Sequence, residues 1–144
     1  MMKKRFVSLL CALALCLGLL PATALAEDTA PQTLYVGNYQ IKSISGDTLT
    51  YLKAGPTEGS LIEGTSVDWT VRYEPSSATL TLNRATIGES FTGSAPHGAG
   101  IYAQCYDGRS VALTIKVIGT NTIQGRYGIC GCTTRHECLP YHPT

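Results

Sequence analysis

The sequence predicts an all-β protein built as a stacked solenoid, and three observations support this prediction. Two copies of one unit occur: the first is residues 78–88 (ATLTLNRATIG) followed further on by Gly100, Ile101 and Tyr102, and the second is residues 110–130 (SVALTIKVIGTNTIQGRYGIC). Apolar residues recur at every second position in both copies, which is typical of strands with one buried face. The spacing between matched positions varies, which is typical of a solenoid whose turns differ in length from coil to coil.

The two copies match at three places along the unit. The matched positions are Leu80 and Leu82 with Leu113 and Ile115, Thr86 and Ile87 with Thr122 and Ile123, and Gly100 and Ile101 with Gly128 and Ile129. The offsets are therefore 33, 36 and 28 residues. In the second copy we expect Leu113, Ile115 and Val117 to face inward, while the residues between them face outward.

The first 26 residues have the features of a secretory signal peptide. A basic stretch, Lys3 to Arg5, precedes an apolar run from Phe6 to Leu20, and Ala24-Leu25-Ala26 forms a small-x-small cleavage site. A membrane anchor is the alternative, but this run is shorter than the roughly 20 apolar residues needed to span a bilayer. Export followed by cleavage after Ala26 is the expected outcome, which places the protein outside the cell or on its surface, with no membrane segment left.

The composition limits the partners of the mature chain. Removal of the signal peptide leaves eight Lys and Arg against ten Asp and Glu, so the formal charge becomes −2. No basic tract remains, which argues against nucleic acid or an anionic membrane as a partner. A chain of this length supports one modest core, so we expect one domain.

The N-terminal part of the mature chain predicts short strands. Residues 27–33 are polar and predict a flexible leader, and alternation begins at Leu34. Residues 53–66 are rich in Gly, Ser and Thr and predict a loop, whereas Val67 to Tyr73 predicts a strand. No helical period occurs after the signal peptide, so helix should be close to absent.

The repeat region also predicts an insertion and an early end. Residues 88–100 (GESFTGSAPHGAG) have no counterpart in the second copy and should form an outward loop. After Ile129 the alternation stops, and Cys130 occupies the place of Tyr102 in the first copy. Because about three coils usually make a stable solenoid, we expect the N-terminal strands to form a cap and the chain to be a shortened copy of a longer repeat protein. The solenoid domain is thus expected at 34–129, followed by an irregular tail at 130–144.

Several phrases resemble a known family. LYVGNYQI, W-x-V-x-Y-E at Trp69 to Glu74, TLTLNRATIG, GIYA, LTIKVIGTNTIQG and YGI together resemble bacterial secreted β-helix proteins with LTLNNATITG-like and GTNTITG-like repeats. The resemblance covers residues 34–129 and departs from the family at Arg84, where a second Asn is typical. It implies a right-handed parallel β-helix of about two coils, of the type often described as carbohydrate-binding.

Glycan binding is the function that this reading favours, and no catalytic residues are predicted. Sugars stack on flat aromatic faces and bond to surrounding amides and hydroxyls; the candidate residues are Trp69, Tyr73, Tyr102, Tyr127, Asn83 and Asn121. Tyrosine and threonine also simply suit strands, so a structural or adhesive segment of a larger cell-surface protein remains an alternative. The oligomeric state is open.

A degenerate polysaccharide lyase is a further alternative. Such an enzyme needs an outward base, for which Arg84, Arg109 and Lys116 are available, and clustered acids that hold calcium. The ten acidic residues are instead scattered along the chain, with no Asp-x-Asp or similar calcium pattern. We therefore expect a non-enzymatic protein without a required cofactor.

The C-terminal tail carries a cluster of metal-ligand residue types. Cys130, Cys132, His136 and Cys138 supply thiols and an imidazole within a short stretch, which is enough for a tetrahedral zinc site. Their spacing departs from common zinc modules. Disulfide pairing among Cys105, Cys130, Cys132 and Cys138 is one alternative, and an accidental composition in an out-of-frame tail is another.

Overall fold

The structure, a computed structural model, describes residues 29–89, 98–106 and 109–132 and the backbone of 139–140. The described chain is all-β, as the sequence predicts. The predicted signal peptide at 1–26, most of the predicted insertion at 88–100 and most of the tail lie outside the described residues, as do His136 and Cys138.

Short strands follow one another along the whole described chain. They are β1 (Thr33–Val36), β2 (Tyr39–Gln40), β3 (Thr50–Ala54), β4 (Leu61–Glu63), β5 (Val71–Glu74), β6 (Thr79–Asn83), β7 (Thr86–Ile87), β8 (Ala99–Gln104), β9 (Thr114–Ile118), β10 (Thr122–Ile123), β11 (Tyr127–Cys132) and β12 (Leu139–Pro140). Within these ranges, helical geometry is confined to one 3₁₀ turn at Pro75–Ser77. None of the described segments is a helix that could cross a bilayer.

The strands form three sheets within the described residues. One has the order β12-β11-β8-β1-β2, a second has β4-β3-β5-β6-β9, and a two-stranded sheet joins β7 to β10. Parallel and antiparallel pairs occur together in both five-stranded sheets.

The two sequence copies pair with each other strand by strand. The first triplet, β6 to β8, runs parallel to the second triplet, β9 to β11, so that β6 pairs with β9, β7 with β10 and β8 with β11. Two of the three predicted registers are confirmed: Ile87 lies opposite Ile123, and Ile101 opposite Ile129. Cys130 also lies opposite Tyr102, as predicted.

The predicted register of the first strand pair is wrong by two residues. Leu80 lies opposite Ile115 rather than Leu113, and Leu82 lies opposite Val117. The Thr114 N–H donates to the Ala78 carbonyl, and each residue of β9 lies two positions nearer the N-terminal end of β6 than the sequence match predicts. A shift of two preserves the alternation of side chains, so the hydrophobic pattern alone does not distinguish the two registers.

The first five strands cover the side of the first triplet that faces away from the second. β5 pairs antiparallel with β6, and β1 pairs antiparallel with β8. Beside β7, the Gly88 N–H donates to the Gly59 carbonyl at 2.7 Å. The N-terminal strands therefore satisfy backbone groups that the first triplet would otherwise expose.

Inward residues of all three sheets, together with Ile41 and Ala85 from connecting segments, form the main core. Its buried members are Leu34, Val36, Ile41, Leu52, Leu61, Val71, Tyr73, Leu80, Leu82, Ala85, Ile87, Ile101 and Ala103. Burying a leucine or isoleucine side chain contributes about 1.5–3 kcal/mol. The second triplet is less well covered: Leu113 and Ile115 are partly buried, whereas Val117, predicted to face inward into a core, is 66% exposed because no described strand covers it.

Three predicted segments differ in the structure. Residues 29–33 are held in place rather than forming a flexible leader, because Thr29 bridges to Val111 and Thr33 belongs to β1. The predicted loop 53–66 contains β4, which pairs with β3. The predicted strand Val67–Tyr73 begins only at Val71, since Thr65 and Asp68 close a tight turn that leaves Val67 92% exposed.

Candidate binding groove

One face of the sheet β4-β3-β5-β6-β9 presents polar and aromatic side chains to the solvent. Leu52 in β3 and Val71 in β5 point into the core, so their neighbours Tyr51 and Arg72 point outward. Tyr51 and Arg72 are paired residues of adjacent strands and therefore lie side by side. Strand alternation thus places a phenol ring and a guanidinium next to each other.

Trp69 lies against both of these side chains. Its ring centroid is 6.3 Å from that of Tyr51, with the ring planes inclined at 55°. The Arg72 Cζ is 5.2 Å from the Trp69 ring centroid, a distance at which a cation is attracted to the face of the indole. These contacts fix the orientation of a partly exposed tryptophan on the outer surface.

A groove of about 260 Å³ begins at Tyr51 and runs along the neighbouring loop, and we call it the binding groove. Its lining residues are Tyr39, Lys42, Ser43, Thr48, Leu49, Thr50, Tyr51, Glu63 and Gly64. The Tyr39 hydroxyl donates to Glu63 Oε1 at 2.8 Å. Tyr51 lines the groove and also contacts Trp69, which itself lies outside the lining of the groove.

The electrostatics of the binding groove are mixed. Partial burial raises the pKa of Tyr39, and the hydrogen bond to Glu63 together with the negative charge of that carboxylate raises it further. Lys42 contributes a positive charge to the same lining. Close to Trp69, Lys53 Nζ and Asp68 Oδ2 form an ion pair of 2.8 Å.

This combination of groups suits a polyhydroxylated ligand. The aromatic rings provide apolar faces, and the hydroxyls, the ammonium and the carboxylate provide hydrogen-bond donors and acceptors around them. The groove is shallow and open, so it accommodates a section of a chain more readily than it encloses a small molecule.

The structure separates the predicted aromatic candidates. Trp69 is partly exposed and contacts Tyr51, which lines the groove, but Trp69 is not itself a lining residue. Tyr73 is 0% exposed in the main core, and burial raises its pKa. Tyr102 is also buried, where it packs at 6.3 Å from Tyr35. The prediction of surface stacking is therefore wrong for Tyr73 and Tyr102. Tyr73 points into the core from β5, and Tyr102 lies between Tyr35 of β1 and Cys130 of β11 in the same sheet.

The remaining glycan candidates lie away from the groove. Tyr127 is partly buried and packs with a small second cluster that contains Tyr35, Tyr102 and Cys130. Asn83 accepts a long contact of 3.4 Å from the Arg84 guanidinium. The side-chain amide of Asn121 forms hydrogen bonds with the backbone. Its Oδ1 accepts from the Ala85 N–H at 2.7 Å, and its Nδ2 donates to two carbonyls of its own turn.

The cysteine side chains that the structure describes are buried. Cys130 and Cys132 lie two residues apart on one face of β11, and Cys105 Sγ donates to the Thr29 and Ala30 carbonyls at 3.6 and 3.5 Å. The predicted zinc ligands His136 and Cys138 lie outside the described residues. Across the described part of the chain, no three His, Cys, Asp or Glu side chains come together as a metal site would require.

Sequence reasoning missed most of the binding groove. Lys42 and Glu63 carry no recognisable motif, and they come together because β4 folds back on β3 and β2 reaches across the same edge. Tyr39 and Tyr51 are among the tyrosines of the chain, but nothing in their spacing distinguishes them from the buried ones. The strand assignment of β4 would have been the useful signal.

Comparisons with known proteins identify no relative of this chain. No protein-family model, no curated protein and no solved structure matches it.

Proposed function

We propose that the chain is an exported, non-enzymatic module that binds polysaccharide along the binding groove. The observation that carries this proposal is the position of Tyr51, a residue that lines a groove rich in hydroxyl groups and whose ring centroid lies 6.3 Å from that of Trp69. Export follows from the signal-like first 26 residues, and glycan binding agrees with the family resemblance of residues 34–129.

The fold that accompanies this proposal is a right-handed parallel β-helix of about two coils. It is supported by the three parallel pairs that join the two triplets in the same order, β6 with β9, β7 with β10 and β8 with β11. Parallel strands joined by a crossover are almost always right-handed, which supports the proposed hand. The antiparallel strands β1 and β5 act as the cap on the first coil.

In this proposal the groove works by adding weak contacts along an extended ligand. Trp69 and Tyr51 provide apolar faces for sugar rings, while Lys42 and Glu63, which line the groove with Tyr51, bond to sugar hydroxyls. A rigid sheet holds these groups at fixed spacing, which limits the entropy lost when a long ligand binds. The ligand is then a cell-wall or extracellular polysaccharide rather than a monosaccharide.

A fluorescence titration tests the proposal directly, because Trp69 is the single tryptophan of the chain. Polysaccharides selected on a glycan array should change the emission of Trp69 in a saturable manner. The substitution Tyr51→Ala should weaken binding roughly tenfold, from the loss of one stacking face. Tyr106→Ala is the matched control, because Tyr106 is an exposed tyrosine that does not line the groove.

The outcomes separate the proposal from its alternatives. Saturable binding that Tyr51→Ala weakens and Tyr106→Ala leaves unchanged supports a glycan site at the groove. Equal loss in both variants places the binding elsewhere. The absence of any array ligand for the folded protein rejects glycan binding and favours the alternative function, a structural or adhesive segment, for which the exposed edge of β9 is the specific observation.

A further inference from the structure

The outer edge of β9 is an unused strand edge. β9 is the last strand of its sheet, and no described strand pairs with its far side. By contrast, the equivalent edge of β11 is occupied by β12. A strand edge with free backbone groups is a template for pairing with another strand.

The backbone directions along β9 identify which groups are free. The Thr114 N–H donates to Ala78, and the Ile118 carbonyl accepts from the Arg84 N–H, so the even-numbered residues of β9 face β6. Because successive residues of a strand direct their N–H and C=O groups to opposite sides, Ile115 and Val117 present theirs to the open edge.

The side chains at this end of the molecule are apolar. Val117 is 66% exposed, whereas its partner Leu82 in the first triplet is 0% exposed, because β9 covers β6 and nothing described covers β9. An apolar cavity of about 450 Å³ opens beside the strand, lined by Ala103, Val111, Leu113, Ile115, Ile129, Cys130 and Gly131. Lys116 is the one charged residue of β9.

We propose that this end is a self-association surface that binds a second copy of the chain through β9. The β6–β9 pair shows that a strand of this repeat can bind such an edge. The edge of β6 in the first triplet pairs with β9, the matching strand of the second triplet. The opposite side of the first triplet is already covered by β1 and β5. A second copy therefore offers its own β9, and the contact is a closed two-fold dimer rather than an open fibre.

Among antiparallel pairings centred on one of the three middle residues of β9, one register is favoured. The free groups require odd-numbered residues to face odd-numbered residues of the second copy. Pairing centred on Lys116 would place two lysines directly opposite each other, which is unfavourable. Pairing centred on Val117 would bring in Gly119, which has a φ of 69° in a turn. Pairing centred on Ile115 avoids both, and it places Leu113 opposite Val117 and Thr114 opposite Lys116 of the second copy.

The oligomeric state of the exported protein tests the surface. Light scattering coupled to size exclusion should give a dimer whose fraction rises with concentration. Val117→Lys places a charge in the contact and should weaken dimerisation at least tenfold, whereas Val67→Lys, the same change at an exposed turn, should have no effect. A monomer at every concentration, a ladder of larger species, or a dimer insensitive to Val117→Lys would overturn the proposal.

A charge pair at position 114 tests the register even if Val117→Lys perturbs folding. Thr114 is exposed, and its side chain points away from the core. Thr114→Glu should tighten the dimer about fivefold through two symmetric contacts with Lys116, and Thr114→Lys should weaken it by a similar factor. Added salt should reduce both effects. The same response to both substitutions would contradict the register.

This surface is independent of the proposed glycan function. The binding groove lies at the β3–β4 side of the sheet, whereas β9 is its opposite edge. Tyr51→Ala should therefore leave the dimer unchanged, and Val117→Lys should leave glycan affinity per chain unchanged.

Discussion

Asn121 holds the turn of the second triplet against the turn of the first. Its Oδ1 accepts a hydrogen bond from the backbone N–H of Ala85 at 2.7 Å, and Ala85 is buried. Its Nδ2 meanwhile donates to the carbonyls of Ile118 and Gly119. One side chain thus satisfies backbone groups that lie in the two turns preceding β7 and β10.

Asn121→Ala should destabilise the protein by about 1–3 kcal/mol, because it leaves the buried Ala85 N–H without its acceptor. Chemical denaturation followed by circular dichroism measures this change in the free energy of unfolding.

Thr120→Ala is the control for this experiment, since Thr120 is an exposed neighbour in the same turn. Its effect should stay within about 0.5 kcal/mol. If Asn121→Ala has an effect as small as this, the cross-turn bond does not contribute to stability and the role given to Asn121 is wrong.

The two glycines at matched positions of the repeat should respond oppositely to alanine. Gly100 in β8 lies between Tyr127 and Ile129 of β11, beside Gly128. A Cβ at Gly100 would overlap the Ile123 side chain and approach the Gln124 carbonyl oxygen to 2.7 Å, whereas a Cβ at Gly128 meets nothing within 4 Å. Gly100→Ala should therefore cost roughly 1–3 kcal/mol, as overpacking does.

Gly128→Ala is the matched control and should be neutral or slightly stabilising, because alanine restricts the unfolded chain. Thermal melts of both variants give the comparison. Equal melting temperatures would show that the inner side of β8 tolerates a methyl group, and the close packing of the two triplets would then be wrong.

The sequence predicts the general plan of the fold because apolar and polar residues of the repeat alternate with the two-residue period of a strand. Alternation of apolar residues identifies β6 and β9, and the matched Thr-Ile and Gly-Ile pairs identify the two other parallel pairs correctly. It does not locate the register of β6 on β9, since Leu113 and Ile115 both satisfy the pattern and the decision rests on a backbone hydrogen bond from Thr114. Local alternation contains no information about such bonds.

The candidate site is less predictable than the fold. Trp69 stands out in the sequence because tryptophan is rare and amphipathic. That Trp69 is partly exposed and Tyr73 is buried becomes clear only when the inward face of β5 is known. The groove depends on Tyr39 and Glu63, which are 24 residues apart and meet through a hydrogen bond of 2.8 Å. Contacts between strands of different hairpins follow from tertiary packing rather than from sequence spacing.

The raised pKa of Tyr39 predicts a loss of stability at alkaline pH. Its neutral phenol is favoured by burial first and by the Glu63 contact second, so the folded protein holds this proton more tightly than the unfolded chain, whose ordinary value is 10.0. The contribution is fully present below pH 10 and is lost as the pH rises through the pKa of the folded protein. Denaturation midpoints above pH 10 should fall less steeply in Tyr39→Phe.

Glu63→Gln tests the second cause of the shift separately. An amide removes the negative charge and keeps an acceptor, so the phenolate absorbance assigned to Tyr39 should appear at lower pH than in the unchanged protein, while burial keeps its pKa above the ordinary value. The Tyr39→Phe variant provides the assignment by subtraction. An unchanged titration would mean that Glu63 does not influence the phenol.

Arg84 occupies a backbone conformation that suits asparagine better, and its replacement should stabilise the protein. Its φ is 50°, in the left-handed region, and its N–H donates to the Ile118 carbonyl at 3.0 Å. Asparagine adopts this region at lower cost than arginine and retains the backbone bond, so Arg84→Asn should add about 0.5–1 kcal/mol to the free energy of unfolding.

Arg126→Asn is the matched control, because Arg126 is also exposed but is not among the described residues with a positive φ. It should change stability by less than about 0.5 kcal/mol. A gain in Arg84→Asn alone would attribute the effect to the backbone conformation at position 84. A loss in Arg84→Asn would instead show that the arginine side chain, which packs beside Gly119, contributes more than the backbone strain costs.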